Sequence, residues 1–407
     1  MKKSFFSLAA ATLLASSLSA SITLYQDTQT GALYTKPGPN RVKLGEFVSK
    51  EEIKKNRNEA MKKSLGIKVD SGVAKLKFNG THYLGYHYTK YDDDSKKNTS
   101  RFETRRNYFQ VKGYWDDSGD YVRLTLDTFQ HSASGKDNSI GSWEVRLKYA
   151  YLYLNLSDYF PHTGVEFGQV HRPWIDYAEH HGWLYRAVSE TFVETGNGAH
   201  IINSAAPGIN FKTKTDYFSS EIGLFNNAGY HGLKTGTGQS FEWRLTGHLL
   251  GTGKKHVHAT QDEWLNVSFF GRYLTGTEEG YNKDNMLGVH AVYNRPMFLI
   301  GGYYLSNDSQ QNHIDSKKNG DGWSVNGEFR PADKWSVFAR YDDWTVDGDG
   351  TTASGFKDYD RTSAIYGVAY TYNRHVKFIL NGITSDTDDR EYEGKKNDYM
   401  ATAEVHW

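Results

Sequence analysis

The sequence predicts an all-β chain: a transmembrane antiparallel β-barrel of about sixteen strands with an inward-folded third outer loop, preceded by a short N-terminal extension. Three observations carry this. The chain of 407 residues has no cysteine, 40 glycines and 29 tyrosines; its mean hydropathy is −0.69, and no stretch beyond the N-terminus is apolar enough for a membrane helix. From residue 73 onward apolar and polar residues alternate with period two, the pattern of strands with one wet and one dry face. The connections between these runs alternate between short turns and long loops, as in barrels with tight hairpins on one side of a membrane and extended ones on the other.

The chain opens MKKSFFSLAAATLLASSLSA. Lys2 and Lys3 form a charged start, Phe5 to Leu18 an apolar run, and small residues follow, so residues 1–20 read as a secretory signal peptide cut after Ala20 or Ser19. The apolar run is shorter than the ~20 residues a membrane span needs. Residues 21–72 read as a periplasmic extension. Tyr34-Thr35-Lys36-Pro37-Gly38-Pro39 is turn-rich, and Ser49 followed by Glu52 has capping-box spacing at the start of a helix over about 50–64.

The barrel is expected over 73–407. Its strands fall at 73–89, 101–115, 121–131, 142–156, 164–171, 208–214, 217–226, 240–250, 263–275, 284–294, 297–306, 322–330, 334–346, 361–372, 375–385 and 397–407. Asn294-Arg295-Pro296 and Asn373-Arg374-His375 are short turns, and 307–321 and 386–396 are long loops. The turn after Leu250, with Lys254, Lys255, His256 and His258, is longer than the rule wants. All seven prolines lie outside strand interiors, as ladder hydrogen bonding requires.

Alternation alone fits any half-buried sheet. Over 142–156, Val145, Leu147, Tyr149, Tyr151 and Tyr153 are expected on the lipid face, with Glu144, Arg146 and Lys148 on the other. Over 121–131, Val122, Leu124 and Leu126 oppose Arg123, Thr125 and Asp127. Three features favour a membrane. Tyr and Trp gather near strand ends (Tyr114, Trp115, Trp143, Trp264, Trp323, Trp335, Trp344, Tyr372, Trp407), as an interfacial girdle does. Several runs are long enough to cross a bilayer at a tilt. The polar face is heavily charged, which suits a watery lumen better than a protein core.

The chain resembles Gram-negative outer-membrane porins, and within them the phosphate-selective porin O and P type. The residues that carry this are Arg105-Arg106-Asn107-Tyr108 leading into Gly113, Gly168-Gln169-Val170-His171-Arg172-Pro173-Trp174, and the terminal aromatic Trp407. The resemblance implies a homotrimeric outer-membrane diffusion channel whose third outer loop folds inward. It also implies a last strand read by the barrel-assembly machinery, and an arginine ladder and lysine cluster in phosphate-selective members. No dedicated lysine cluster is located here, so a general porin with weak anion preference is the expectation.

The inward loop is the stretch 171–207, where alternation stops for more than thirty residues; connections that long are usually functional. Strand parity places Arg106, Lys112, Arg123, Arg146, Lys148 and Arg172 on a basic lumen wall. The loop brings Asp176, Glu179, Glu190 and Glu194 against Arg186 alone. Acids facing bases across a narrow passage make a transverse field that filters ions and orients dipolar solutes.

Other chemistries are weakly signalled. His180-His181 and His256-x-His258 lack a carboxylate at a diagnostic spacing and read as surface histidines, so no metal site or cofactor is expected, apart from a divalent cation at acidic outer loops such as Asp92–Asp94 and Asp386–Asp389. Such loops could also meet lipopolysaccharide, while the outward face meets lipid. Basic residues are scattered among strands, which argues against nucleic acid. No nucleophile motif stands out, so the chain is not expected to be an enzyme; an outer-membrane hydrolase and a surface adhesin or receptor are the rival readings.

Overall fold

The computed structural model describes residues 22–47, 75–115, 118–130, 142–230, 232, 236–251, 261–277, 280–348, 358–388 and 394–407. The signal segment, the helix expected over 50–64 and the His256/His258 pair lie outside the described residues. The chain divides into two units, Met1–Ser71 and Gly72–Trp407.

In the first unit β1 (Ile22–Asp27), β2 (Leu33–Tyr34) and β3 (Arg41–Phe47) form an antiparallel sheet of order β2-β1-β3. The turn-rich stretch read from the sequence is the connection from β2 to β3, which pairs on the other edge of β1. Gly31, at φ 73°, turns the β1–β2 hairpin; the Arg41 guanidinium lies over the Tyr34 ring at 3.4 Å.

The second unit is a closed antiparallel barrel. Its first five strands are β4 (Lys75–Tyr91), β5 (Thr99–Tyr114), β6 (Tyr121–Gln130), β7 (Trp143–Asn155) and β8 (Thr163–His171). After the long loop come β9 (Ala205–Lys214), β10 (Phe218–Phe225), β11 (Gln239–Leu250), β12 (Trp264–Thr275), β13 (Tyr281–Arg295) and β14 (Phe298–Gln311). A two-residue piece, β15 (Ile314–Asp315), belongs to a loop. The round is completed by β16 (Gly320–Ala332), β17 (Trp335–Val346), β18 (Tyr359–Asn373), β19 (Val376–Thr387) and β20 (Lys396–His406). Leaving out β15, sixteen strands close the ring, with β20 paired to β4 from Lys396 opposite Tyr91 to His406 opposite Thr81. Closure leaves no unpaired edge, a requirement for spanning hydrocarbon with strands.

The two faces follow the alternation. Leu124, Leu147, Phe211, Ile222, Phe269, Val289, Val325 and Leu380 are exposed on the outside, while Asp127, Asn210, Glu221, Arg244, Asp284 and Asp342 are buried within. Two expectations fail in informative ways. Tyr149 and Tyr151 do not share the outer face of Val145 and Leu147; they are buried in the lumen beside Val170 and Phe225. Thr125 pairs with Tyr149 but Leu126 pairs with Leu147, so Lys148 is an extra, bulged residue that resets the parity of β7. Likewise Trp264 and Trp344 are buried inside the barrel and take no part in a girdle, whereas Trp143, Trp323, Trp335, Tyr372 and Trp407 remain exposed.

Candidate functional site

The third outer connection runs from Arg172 to Ser204 and is folded onto the inner wall. It begins with α1 (Pro173–His181). Arg172 precedes it in extended conformation, Pro173 presets the first helical φ, and Asp176 sits in the first turn, where negative charge suits the helix dipole. The helix is absent from the sequence reading because a nine-residue amphipathic piece inside a loop gives little periodicity. It ends at Gly182, whose N–H donates to the Ala178 carbonyl at 2.9 Å.

Aromatic rings fix this loop to one side of the barrel. Trp174 stacks on Phe270 with centroids 3.7 Å apart and planes 2° from parallel; Gly288, paired with Phe270 across the strands, leaves that ring room. Phe192 packs edge-on to Tyr303 and Trp344. Further along, Tyr185 stacks on Phe338 at 3.8 Å. Side-chain burial of this kind is worth roughly 1.5–3 kcal/mol per large residue. Hydrogen bonds set the position: Asn326 donates to the Gly182 carbonyl at 3.0 Å, Tyr185 Oη to Glu328 at 2.8 Å, and Arg340 to the Glu190 carbonyl at 2.8 Å. The wall used includes β4, β11–β14 and β16–β20, and β5–β7 face the loop.

That facing wall holds five of the six predicted bases. The Tyr108 hydroxyl accepts from Arg106 at 2.6 Å and from Lys148 at 2.8 Å. Arg146 pairs with Asp127 at 2.8 Å. Arg123 lies over the Tyr149 ring at 4.3 Å, and Lys112 over Tyr121 at 4.6 Å. Arg172 is elsewhere. It is 1 % exposed, bound to Glu242 at 2.5 Å and to the carbonyls of Asn226 and Asn227, so it anchors the root of the loop and does not face the passage.

The four loop acids divide. Glu190 reaches across to pair with Arg106. Glu179 and Glu194 both turn back onto Arg186 of the same loop. Burial opposes ionisation of Glu194, but Arg186 holds its carboxyl down at about 2. Glu179 goes the other way: burial and the nearby Glu194 push it up in spite of Arg186. Asp176 lies 3.8 Å from His171 and 3.8 Å from His180. It stays well below the usual carboxylate range although burial opposes this, through His171, His180, Lys212 and Arg123. His180 is pulled up by Asp176. His181 is not a surface residue: it stacks on Tyr177 at 4.2 Å, and burial lowers it to about 4.

Between loop and wall lies a cavity of about 340 Å³ lined by His87, Arg105, Arg106, Arg146, Arg186, Glu190 and Asp398, among others. Arg105 and His87 are additions to the predicted set. Tyr83 pairs with Arg106 and Leu84 with Thr104, so Arg105 is a second bulged residue, and both arginines point inward. Two adjacent like charges within a period-two run are the signal that could have found it. A second cavity of about 750 Å³ includes Lys96, Lys97, Arg361, Lys396 and Asp386 in its lining, so the outer loops bring bases as well as the acids expected of them.

No protein-family model matches the chain, and no curated protein matches it. Solved structures do. An anion-selective porin from Comamonas acidovorans aligns at TM-score 0.60 and 11% identity, covering 82% of this chain and 99% of that one. OmpF of Salmonella typhi, solved with daunomycin, aligns at 0.57 and 13%, covering 83% and 98%. A trimer form of OmpT, an outer membrane protein of Vibrio cholerae, aligns at 0.52 and 13%, covering 82% and 99%. At such identities the likeness is one of fold: the sixteen-stranded barrel of outer-membrane proteins.

Proposed function

We propose that this chain is a passive diffusion channel of the Gram-negative outer membrane for small hydrophilic solutes and ions, acting as a homotrimer and without enzymatic activity. The observation that carries this reading is the placement of the third outer loop. It is stacked on one side of the barrel, and a charged cavity is left between it and residues of β4, β5, β7, β19 and β20. A loop that narrows a barrel without filling it is what a selective pore needs. The fold shared with porins, among them the anion-selective porin of Comamonas acidovorans, supports the same reading.

Weak anion preference follows from the lining. Arg105, Arg106, Arg146 and Arg186 meet Glu190 and Asp398 there. Part of the positive charge is spent on local partners such as Asp127, Glu179 and Glu194, so the field is modest and a general porin is favoured over a phosphate specialist. Reversal potentials of the purified protein in planar bilayers under a KCl gradient test this. Stepwise conductance with a potential of anion-selective sign is expected; absence of conductance would remove the channel reading, and a cation-selective sign would remove the preference.

A further inference from the structure

At the root of the loop lies a second cluster of charged side chains, apart from the cavity described above. His171 closes β8, and its Nε2 is surrounded by carboxylates from three elements: Glu166 Oε2 of β8 at 3.3 Å, Glu221 Oε2 of β10 at 3.3 Å and Asp176 Oδ2 of α1 at 3.8 Å. The donor atoms of His171, Asp176 and Glu221 all lie within 4.8 Å of one another. The side chains of His171, Glu166 and Glu221 are 3–5 % exposed. Glu166 Oε2 is buried and receives no hydrogen bond.

The spacing is that of a coordination shell. Ligand atoms about 2.0–2.1 Å from a tetrahedral zinc ion stand about 3.3–3.4 Å apart. Two of the three separations from His171 have that value, and the third is longer by an amount a helix side chain can take up. One imidazole nitrogen with carboxylate oxygens is a donor set suited to a divalent d-block ion. A cation already sits among these groups: the Lys212 ammonium of β9, 2.6 Å from His171 Nε2, 3.5 Å from Glu221 and 3.7 Å from Glu166. Its side chain is partly exposed and long enough to swing aside. Arg244 holds Glu221 at 3.1 Å and Asn210 donates to it at 2.9 Å, which fixes the carboxylate with or without a metal.

We infer that His171, Asp176 and Glu221, with Glu166 beside them, form a site for a divalent transition-metal ion of the zinc type, and that Lys212 is the internal cation such an ion displaces. Three of the ligands belong to the barrel and Asp176 to α1, so the bound ion clips the first turn of the loop to the wall. The site stands on this cluster alone and is independent of the channel reading.

Full-length folded protein, stripped with chelator, would be titrated with ZnCl₂ by calorimetry and with CoCl₂ by visible absorption. One saturable Zn²⁺ per chain and a four-coordinate Co²⁺ spectrum are expected. Lys212→Met should tighten Zn²⁺ binding by about tenfold, roughly 1.4 kcal/mol. His171→Ala removes the imidazole ligand and should weaken it by about 100-fold or more, since loss of an outer partner alone costs roughly 10–100-fold. Heat-modifiable migration on SDS gels checks folding, and Glu166→Gln, which should also weaken binding, replaces His171→Ala if that variant does not fold. No saturable binding in Lys212→Met, or binding untouched by both ligand substitutions, overturns the proposal.

Discussion

The charge pair between Arg106 and Glu190 joins the two sides of the passage. Glu190→Gln frees a guanidinium there and should move the reversal potential toward stronger anion preference; Arg106→Gln should move it the other way. Arg186 with its two acids behaves differently. Glu194 is a depressed acid, so its contribution to docking the loop is present above the ordinary carboxylate value of about 4.3 and is lost as pH falls through about 2. Glu179 is a raised acid, so its protonated form suits the docked loop, and what it contributes is lost as pH rises through its folded value. On acidification Glu179 therefore takes up its proton first and adds positive charge beside Arg186. Anion preference measured by reversal potential should rise as pH falls through the raised folded value of Glu179, and this rise should be smaller in Glu179→Gln, where the change left comes from other groups such as His180. At neutral pH Glu194→Gln should loosen the loop by about 3 kcal/mol, as breaking a buried pair does, seen as faster protease cleavage within 183–204. Glu179→Gln should not.

At the scale of the elements, the loop is held by rings and can be released without opening the barrel. Trp174→Ala removes the stack on Phe270 and should cost about 3–5 kcal/mol of docking. The readout is increased current noise with unchanged SDS migration of the folded barrel. Deletion of 178–197 should raise single-channel conductance and flatten selectivity; unchanged conductance would put the loop outside the pathway. The sixteen strands were legible because each has one long apolar face, and Leu124, Phe211, Phe269 and Leu380 show it. The bulges at Arg105 and Lys148 were not, since parity counted from either end of β5 or β7 is right only up to the extra residue. This is why Arg105 was passed over and Tyr149 and Tyr151 were put on the wrong side. The four loop acids were visible as charge, but their partners were not. Arg186 takes two of them through the local path of the loop after α1, and no spacing encodes that path.

For the whole molecule, the outward face is set against hydrocarbon and the inward face against water, so equal substitutions should differ in cost. Phe269 is exposed on the outside in the middle of β12. Phe269→Arg should destabilise the barrel by about 2–4 kcal/mol if it lies near the bilayer midplane, measured by urea unfolding in lipid vesicles, whereas Phe269→Tyr should cost far less. The seam between β20 and β4 closes the ring through eleven paired positions, and Trp407, packed near Gly80 and His82, finishes it.

The bulges have a consequence for changes in chain length. In a closed barrel, losing one residue from a strand normally turns every later side chain to the opposite face, because the alternation is strict and the stagger around the ring is shared by all strands. Arg105 and Lys148 are exceptions. Each is the surplus member of its strand, so its removal leaves the neighbours pointing as before: Glu103 and Arg106 inward around Thr104, and Arg146 and Tyr149 inward around Leu147. Both positions are ones where a whole codon can come or go while the barrel keeps its register, which lets the charge of the lumen change by one unit in a single step.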